Sequence, residues 1–272
     1  MSLRQAFADT VHEISKNDDS TVVIVGDISH GIFGGFRAQF PDRYFNIGIL
    51  EPAMTGIAAG MSKLGLNPIV HTIAPFLIER TFEQLKLDFG YQKLNVNLVS
   101  VGGTFDYSQL GVSHHSYSDV ALVSHIPGSQ IFLPGTSEEF QTLFRSSYQN
   151  DGIKYFRLTE HPHTEKLDYS TFEPGKSILV QPGHDITLVV SGSGPLTESM
   201  KAVRDIVGIH VEVIYTPSLK PFDEASVRNS VSKTGRFLTV EELSSQSGGL
   251  FDCVMRSAPQ GLPLYWDSIA VA

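Results

Sequence analysis

Two rhythms of apolar residues alternate along the chain: short continuous runs bounded by turn residues, and longer stretches in which apolar positions recur every three or four residues. The continuous runs fit strands buried on both faces, and the spaced stretches fit amphipathic helices. Their regular alternation is the pattern of parallel sheets joined by crossover helices. It predicts a helix over 3–16, strands over 22–25 and 44–47, a helix over 52–64, a strand over 68–71, a helix over 76–91 and a strand over 96–101. A helix over 117–125, a strand over 130–133, a helix over 137–148 and a strand over 154–158 follow, enough for one complete open sheet.

The stretch 160–175 is rich in His, Pro, Thr, Glu and Gly and has no period, so it reads as an interdomain connection. Beyond it the alternation resumes on a smaller scale, with strands beginning near Ile186, His210 and Phe237, helices over 196–206 and 223–231, a helix after Gly248-Gly249 and a final strand before Ala272. The expected fold class is therefore α/β, with two open, mainly parallel-sheet domains: residues 1–163, a linker over 164–175, and residues 176–272.

Composition narrows the function. At 272 residues the chain is long enough for two cores, and its 41% hydrophobic content includes no run approaching the roughly 20 apolar residues needed to span a bilayer. The N-terminus lacks the basic and then apolar pattern of a signal peptide, so a cytoplasmic protein without membrane contact is expected. A net charge of −9 argues against nucleic-acid binding, which needs clustered Lys and Arg. The single cysteine, Cys253, has no partner for a disulfide or a thiolate metal site and reads as a small buried hydrophobe. No metal ligands are assigned to the chain.

Three strings hold the candidate chemistry: Tyr44-Phe-Asn-Ile-Gly-Ile-Leu-Glu51-Pro-Ala-Met54, Phe76-Leu-Ile-Glu-Arg80-Thr-Phe82-Glu-Gln84 and Gly111-Val-Ser-His114-His115. Pro52 suits the first turn of a helix and so puts Glu51 at its entrance. Taken alone, Glu51 would only complement the helix dipole, an effect of about 0.3–1 kcal/mol. Phe76 and Phe82 alone would be core aromatics, and a lone histidine is most often a surface residue.

Together, in this order, the strings resemble the transketolase family, and specifically the half of it that binds the aminopyrimidine ring of thiamine diphosphate. The resemblance runs from about Val22 to Asp267. It implies a pyrimidine-binding domain followed by a smaller transketolase C-terminal-like domain. It also implies that Glu51 is the acid that hydrogen-bonds the pyrimidine nitrogen N1′ and activates the cofactor. Phe76 and Phe82, with Arg80, correspond to the family's pyrimidine-pocket helix, and Asp27 at the end of a strand is a further pocket candidate. His114 corresponds to the loop histidine that points at substrate oxygens, where a near-neutral imidazole can donate a hydrogen bond or carry a proton. His115, Asp106 and Arg157 join it as substrate-binding candidates.

Full-length members carry an additional domain whose Gly-Asp-Gly string and downstream Asn hold the diphosphate and its divalent cation; no such segment occurs in these 272 residues. The resemblance thus implies one subunit of a split, two-subunit thiamine diphosphate-dependent transketolase. An N-terminal-type partner would hold the diphosphate and Mg2+ or another divalent cation, and the expected assembly is a heterotetramer or a homodimer of this chain. The reaction would move a two-carbon ketol unit from a ketose to an aldose. The alternatives are the β subunit of a 2-oxo acid dehydrogenase, a 1-deoxyxylulose-phosphate synthase-like enzyme, and a catalytically silent scaffold or regulatory subunit.

Several positions depart from the family that acts on sugar phosphates. Thr159-Glu160 stands where a phosphate-binding arginine is usual, Gly102-Gly103 where a histidine is, and Leu110 where an aspartate is. Leu243 likewise replaces a histidine in the loop Thr239-Val-Glu-Glu-Leu-Ser-Ser-Gln-Ser-Gly-Gly-Leu. These changes imply a substrate whose far end, a sugar or a sugar phosphate, is read differently from that of the usual pentose phosphate.

Overall fold

The structure, a computed structural model, describes residues 2–29, 31–245, 248–259, 261 and 263–271. Its strands are β1 (Thr21–Val25), β2 (Tyr44–Asn46), β3 (Asn67–Ile73), β4 (Val96–Val101), β5 (Gln130–Phe132), β6 (Ile153–Arg157), β7 (Ile178–Gln181), β8 (Ile186–Val190), β9 (Val211–Tyr215), β10 (Ser218–Lys220), β11 (Arg236–Ser244) and β12 (Tyr265–Val271). The helices are α1 (Leu3–Ile14), α2 (Gly34–Gln39), α3 (Glu51–Lys63), α4 (Ala74–Leu77), α5 (Phe82–Gln84), α6 (Asp119–Ser124), α7 (Ser137–Ser147), α8 (Ser193–Asp205), α9 (Glu224–Thr234) and α10 (Leu250–Ser257).

Seven strands form one sheet in the order β10-β5-β6-β4-β3-β1-β2, and five form a second in the order β12-β11-β8-β9-β7. Every pairing is parallel except β10 with β5 and β7 with β9, one at the edge of each sheet. Strands such as Thr21–Val25 and Val96–Val101 are buried along their whole length, as central parallel strands covered by helices on both faces must be. Helix α7 starts where the Thr136 hydroxyl accepts from the Glu139 amide, with Glu138 and Glu139 in the first turn. It turns Phe140, Leu143 and Phe144 inward, and the Phe144 and Phe156 rings meet at 5.0 Å. No described helix is long and apolar enough to cross a membrane.

The departures from the sequence-based expectation have local causes. The helix expected over 76–91 is broken: α4 ends at Leu77, α5 covers only Phe82–Gln84, and Leu85–Tyr91 winds as a wider π-helix. The first sheet is not completed by the first domain, because Ser218–Lys220 from the second half adds its outer strand. Three residues beside a proline are too short to show a period. The segment expected as a linker is packed: Phe172 is buried, and Leu167 and Tyr169 lie against the core. In the loop before α10, Gln246 and Ser247 lie outside the described residues, as does Ala272.

Candidate active site

The carboxyl ends of β1, β2, β3 and β4 line one edge of the first sheet, the edge where open parallel sheets place their ligands. After β2 the chain turns through Gly48, whose φ of +76° favours glycine, and the Leu50 amide bonds back to the Gly48 carbonyl at 2.9 Å. That turn opens α3 with Glu51 at its first position and Pro52 behind it. Glu51 is only 1% exposed. A carboxylate so enclosed must be compensated. Arg80 Nη1 donates to its Oε2 at 2.6 Å, while Oε1 accepts no hydrogen bond from any described residue.

Arg80 reaches Glu51 because the helix around it is disrupted. The Pro75 carbonyl accepts from both the Glu79 amide (3.0 Å) and the Arg80 amide (3.1 Å), which widens the turn, and the Thr81 hydroxyl bonds back to the Leu77 carbonyl. The Arg80 guanidinium lies 4.3 Å over the Phe76 ring, a cation–π contact. Phe76 also meets the His114 ring edge-on at 5.0 Å. His114 ends the short turn Val112–His114, which Gly111 opens with a φ of +82°, and its Nδ1 is 3.0 Å from the Ser113 hydroxyl. Glu51, Arg80, Phe76 and His114 therefore form one unbroken set of contacts, although they come from separate segments. His115 packs edge-on against Phe105 at 5.2 Å, and its buried Nε2 has no hydrogen-bond partner among the described residues.

The other candidates are placed differently. Asp27 sits at the end of β1 with a φ of +54°, and its carboxylate accepts from Asn46 Nδ2 at 3.1 Å. The Asn46 side-chain oxygen Oδ1 in turn accepts from the backbone amides of Asp27 (3.1 Å) and Gly48 (3.0 Å). Asp27 thus braces the turn that presents Glu51. Phe82 packs against the core containing Met54, Ala58 and Leu85, so it supports the pocket helix from behind.

Arg157 and Asp106 are corrections to the substrate-binding set. Arg157 is 4% exposed. Its Nε donates to Asp119 (2.8 Å), Nη1 to Glu242 (3.0 Å), and Nη2 to the Thr104 hydroxyl (2.7 Å) and the Ser116 carbonyl (2.6 Å). Four of its five N–H groups are bonded within this chain, so Arg157 clamps the two halves together and has at most one Nη1 hydrogen left for another acceptor. Asp106 accepts from the amides of Gly103 (2.7 Å) and Glu160 (2.9 Å) and from the Thr159 hydroxyl (3.3 Å). It fastens two loops and offers little to a sugar hydroxyl.

The family departures also acquire physical causes. A Cβ on Gly102 would come within 2.6 Å of the Tyr107 ring, so no histidine fits there with this tyrosine in place. The Tyr107 hydroxyl donates to Glu160 at 2.9 Å, and Arg4 pairs with the same carboxylate at 3.1 Å. Burial beside Glu160 raises the Tyr107 pKa well above its ordinary value. Glu160 is therefore not the bare negative charge that the sequence suggested. Leu243 is 2% exposed and fills the core where a histidine was expected.

Sequence reasoning missed Asn46, although it lies inside the first string, and His71. The buried His71 has Nδ1 2.6 Å from the Val99 carbonyl and Nε2 2.9 Å from the Ser29 hydroxyl. A carbonyl can only accept, so the proton sits on Nδ1 and Ser29 donates to Nε2. This fixes the loop after β1, where Ser29 has a φ of +56°. Burial pushes the His71 pKa down to about 4 and keeps the ring neutral.

The transketolase pyrimidine-binding domain model matches residues 1–163, and the transketolase C-terminal domain model matches residues 175–270. The chain belongs to the transketolase family. It is 30% identical over 266 residues to the 6-deoxy-6-sulfo-D-fructose transketolase subunit SqwH of a Clostridium species, covering 96% of this chain and 82% of that one. It is also 30% identical over 256 residues to a subunit of the apulose-4-phosphate transketolase of Phocaeicola vulgatus, covering 92% of this chain and 81% of that one. Among solved structures, one described as a split-gene transketolase, inactive β4 tetramer, superposes with a TM-score of 0.84 at 28% identity, covering 100% of this chain and 89% of that one. The family uses thiamine diphosphate; the half-enclosed Phe76 and the buried Glu51 carboxylate, linked through Arg80, have the aromatic and acidic character that its aminopyrimidine ring would call for.

Proposed function

We propose that this chain is the pyrimidine-side subunit of a split transketolase, which moves a two-carbon ketol unit from a ketose to an aldose once a separate subunit supplies the diphosphate and divalent-cation site. Thiamine diphosphate, when bound, supplies a carbon nucleophile and then an electron sink. The observation that carries the reading is Glu51: an enclosed carboxylate that, among the described residues, is held by a single cation and has its second oxygen unengaged. Glu51 would hold the pyrimidine nitrogen and share its proton, Phe76 would wall the ring, and Arg80 would keep Glu51 aimed. His114, fixed against Phe76, would donate to a substrate oxygen or carry a proton there.

The outer face of α3 supports a partner at this edge. Ala53, Gly56, Ile57 and Gly60 are exposed on one side of the helix, and Ile49 and Leu50 just before it are 70% and 59% exposed. Small and apolar side chains let another subunit's backbone approach closely, and the diphosphate-binding subunit is the partner that would complete the site. Two copies of each subunit related by a twofold axis give the simplest closed assembly. The relatives named as transketolase subunits for 6-deoxy-6-sulfo-D-fructose and for apulose 4-phosphate support a ketose with an unusual far end. So does the commitment of Arg157, Asp106 and Glu160 to contacts within this chain.

Mixing the purified chain with its N-terminal-type partner tests the reading. The chain alone is expected to bind thiamine diphosphate weakly and to be inactive, with tight Mg2+-dependent binding and ketol transfer appearing only in the mixture. Tight, Mg2+-dependent binding by this chain alone, measured by calorimetry, would overturn it. Within the active mixture, the ratio of kcat/KM for xylulose 5-phosphate to that for nonphosphorylated ketoses tests the far-end reading. A strong preference for the phosphate ester that a substitution in this chain abolishes would contradict it.

A further inference from the structure

We propose that His184, Asp185 and His210 form a site for a borderline divalent transition metal, with Zn2+ the best-suited ion, at the base of the second sheet. The three residues come from two loops that the fold brings side by side. Asp185 directly precedes β8 and His210 directly precedes β9, and the parallel register sets Ile186 opposite Val211. The amides of His184 and Asp185 both donate to the His210 carbonyl, at 3.1 and 3.0 Å, and the His210 amide donates to Asp185 Oδ2 at 2.7 Å. Gly183 permits this approach, because a Cβ there would lie 2.3 Å from the Glu212 amide nitrogen. The backbone is therefore fixed before any ion arrives.

On that frame the two imidazoles stack at 4.4 Å with planes 21° apart, and each addresses a different oxygen of the same carboxylate. His210 Nδ1 lies 3.1 Å from Oδ2, and His184 Nε2 lies 3.8 Å from Oδ1. One donor atom from each residue falls within 4.8 Å of the others. In a tetrahedral zinc site with bonds of about 2.0–2.1 Å, ligand atoms sit about 3.3 Å apart. Small side-chain rotations would close the set on one ion, with the remaining position open to water. Two imidazoles and a carboxylate suit Zn2+, Cu2+ or Ni2+; Mg2+ and Ca2+ prefer oxygen ligands alone. Bound there, the ion would staple the turn before β8 to the loop before β9, and its binding energy would add to the stability of the second sheet.

Equilibrium dialysis and thermal unfolding of the untagged full chain with ZnCl2, in a buffer that does not chelate, test the proposal. One Zn2+ per chain is expected, with a rise in the unfolding midpoint that Mg2+ does not reproduce. His184→Ala and His210→Ala are expected to weaken binding at least tenfold and to remove the zinc-dependent rise. Asp185→Asn retains an oxygen to accept from the His210 amide while removing the charge, so it should fold normally and also lose affinity. Equal stoichiometry and affinity in wild type and the histidine variants would overturn the site, as would no zinc binding by the wild-type chain.

Discussion

Replacing Arg157 by Met keeps the apolar stem of a side chain that is 2% exposed but removes a guanidinium that engages four partners. The Asp119 carboxylate, 0% exposed, would keep only the Tyr155 hydroxyl at 2.5 Å, since its Oδ1 already has no partner. Removing one member of a buried pair costs about 3–5 kcal/mol, because the other charge is left unpaired. The Glu242 arm, whose side chain is 28% exposed, should add at most about 1 kcal/mol after solvent screening. At a few degrees per kcal/mol for a chain of this size, the unfolding midpoint should fall by roughly 10 °C. Thermal and urea unfolding of the purified variant measure this directly. Adding Asp119→Leu removes the stranded charge, so the double variant should be more stable than the sum of the two single losses. An Arg157→Met variant that unfolds like wild type, and shows only a raised KM for phosphorylated ketoses, would refute the interdomain clamp and restore Arg157 as a substrate ligand.

Other residues give independent outcomes. His71 is held neutral with a folded pKa of about 4, below its ordinary 6.5, so the unfolded chain binds the proton more readily. The contribution present above pH about 6.5 is then lost as the pH falls toward 4, by about 3 kcal/mol in all. Urea midpoints across that range should show the slope, and His71→Asn should flatten it; an unchanged slope would reject the assignment. Arg80→Met should lower kcat in the reconstituted enzyme more than tenfold, and because it leaves the 2%-exposed Glu51 side chain without its cation it should also lower the unfolding midpoint measurably. Unaltered kcat would remove Arg80 from the site. Gly102→Ala should cost more than about 1 kcal/mol through its left-handed backbone and the Tyr107 ring, and Tyr107→Ala should relieve part of that loss. Equal stability of Gly102→Ala and wild type would rule out the steric account.

The sequence revealed those parts of the molecule whose pattern is local. Val96–Val101 is a continuous apolar run and is a strand over those residues, and Pro52 correctly marked the start of α3. Glu51, Phe76, Arg80 and His114 were visible because each lies in a string that resembles the family's. What escaped depends on partners distant in the chain. Nothing around Arg157 announces Asp119 and Glu242, and nothing around Ser218–Lys220 announces β5. The break after Leu77, with its shared Pro75 carbonyl and the Thr81 bond back to Leu77, lets Arg80 meet Glu51, a tertiary pairing that helical periodicity does not show. Glu160 looked like a phosphate-repelling charge only because Arg4, near the other end of the domain, cannot be seen beside it.

The central claim is that Glu51 activates the cofactor in an assembled two-subunit enzyme, and Glu51→Gln tests it most directly. Glutamine can still accept from Arg80, so the variant should fold, assemble and bind thiamine diphosphate as wild type does. The measurement is ketol transfer, together with proton exchange at the thiazolium C2, in the complex reconstituted with the diphosphate-binding subunit. The account predicts that transfer is abolished and that exchange slows by orders of magnitude while assembly is intact. Exchange and transfer at the wild-type rate in an assembled Glu51→Gln complex would contradict it.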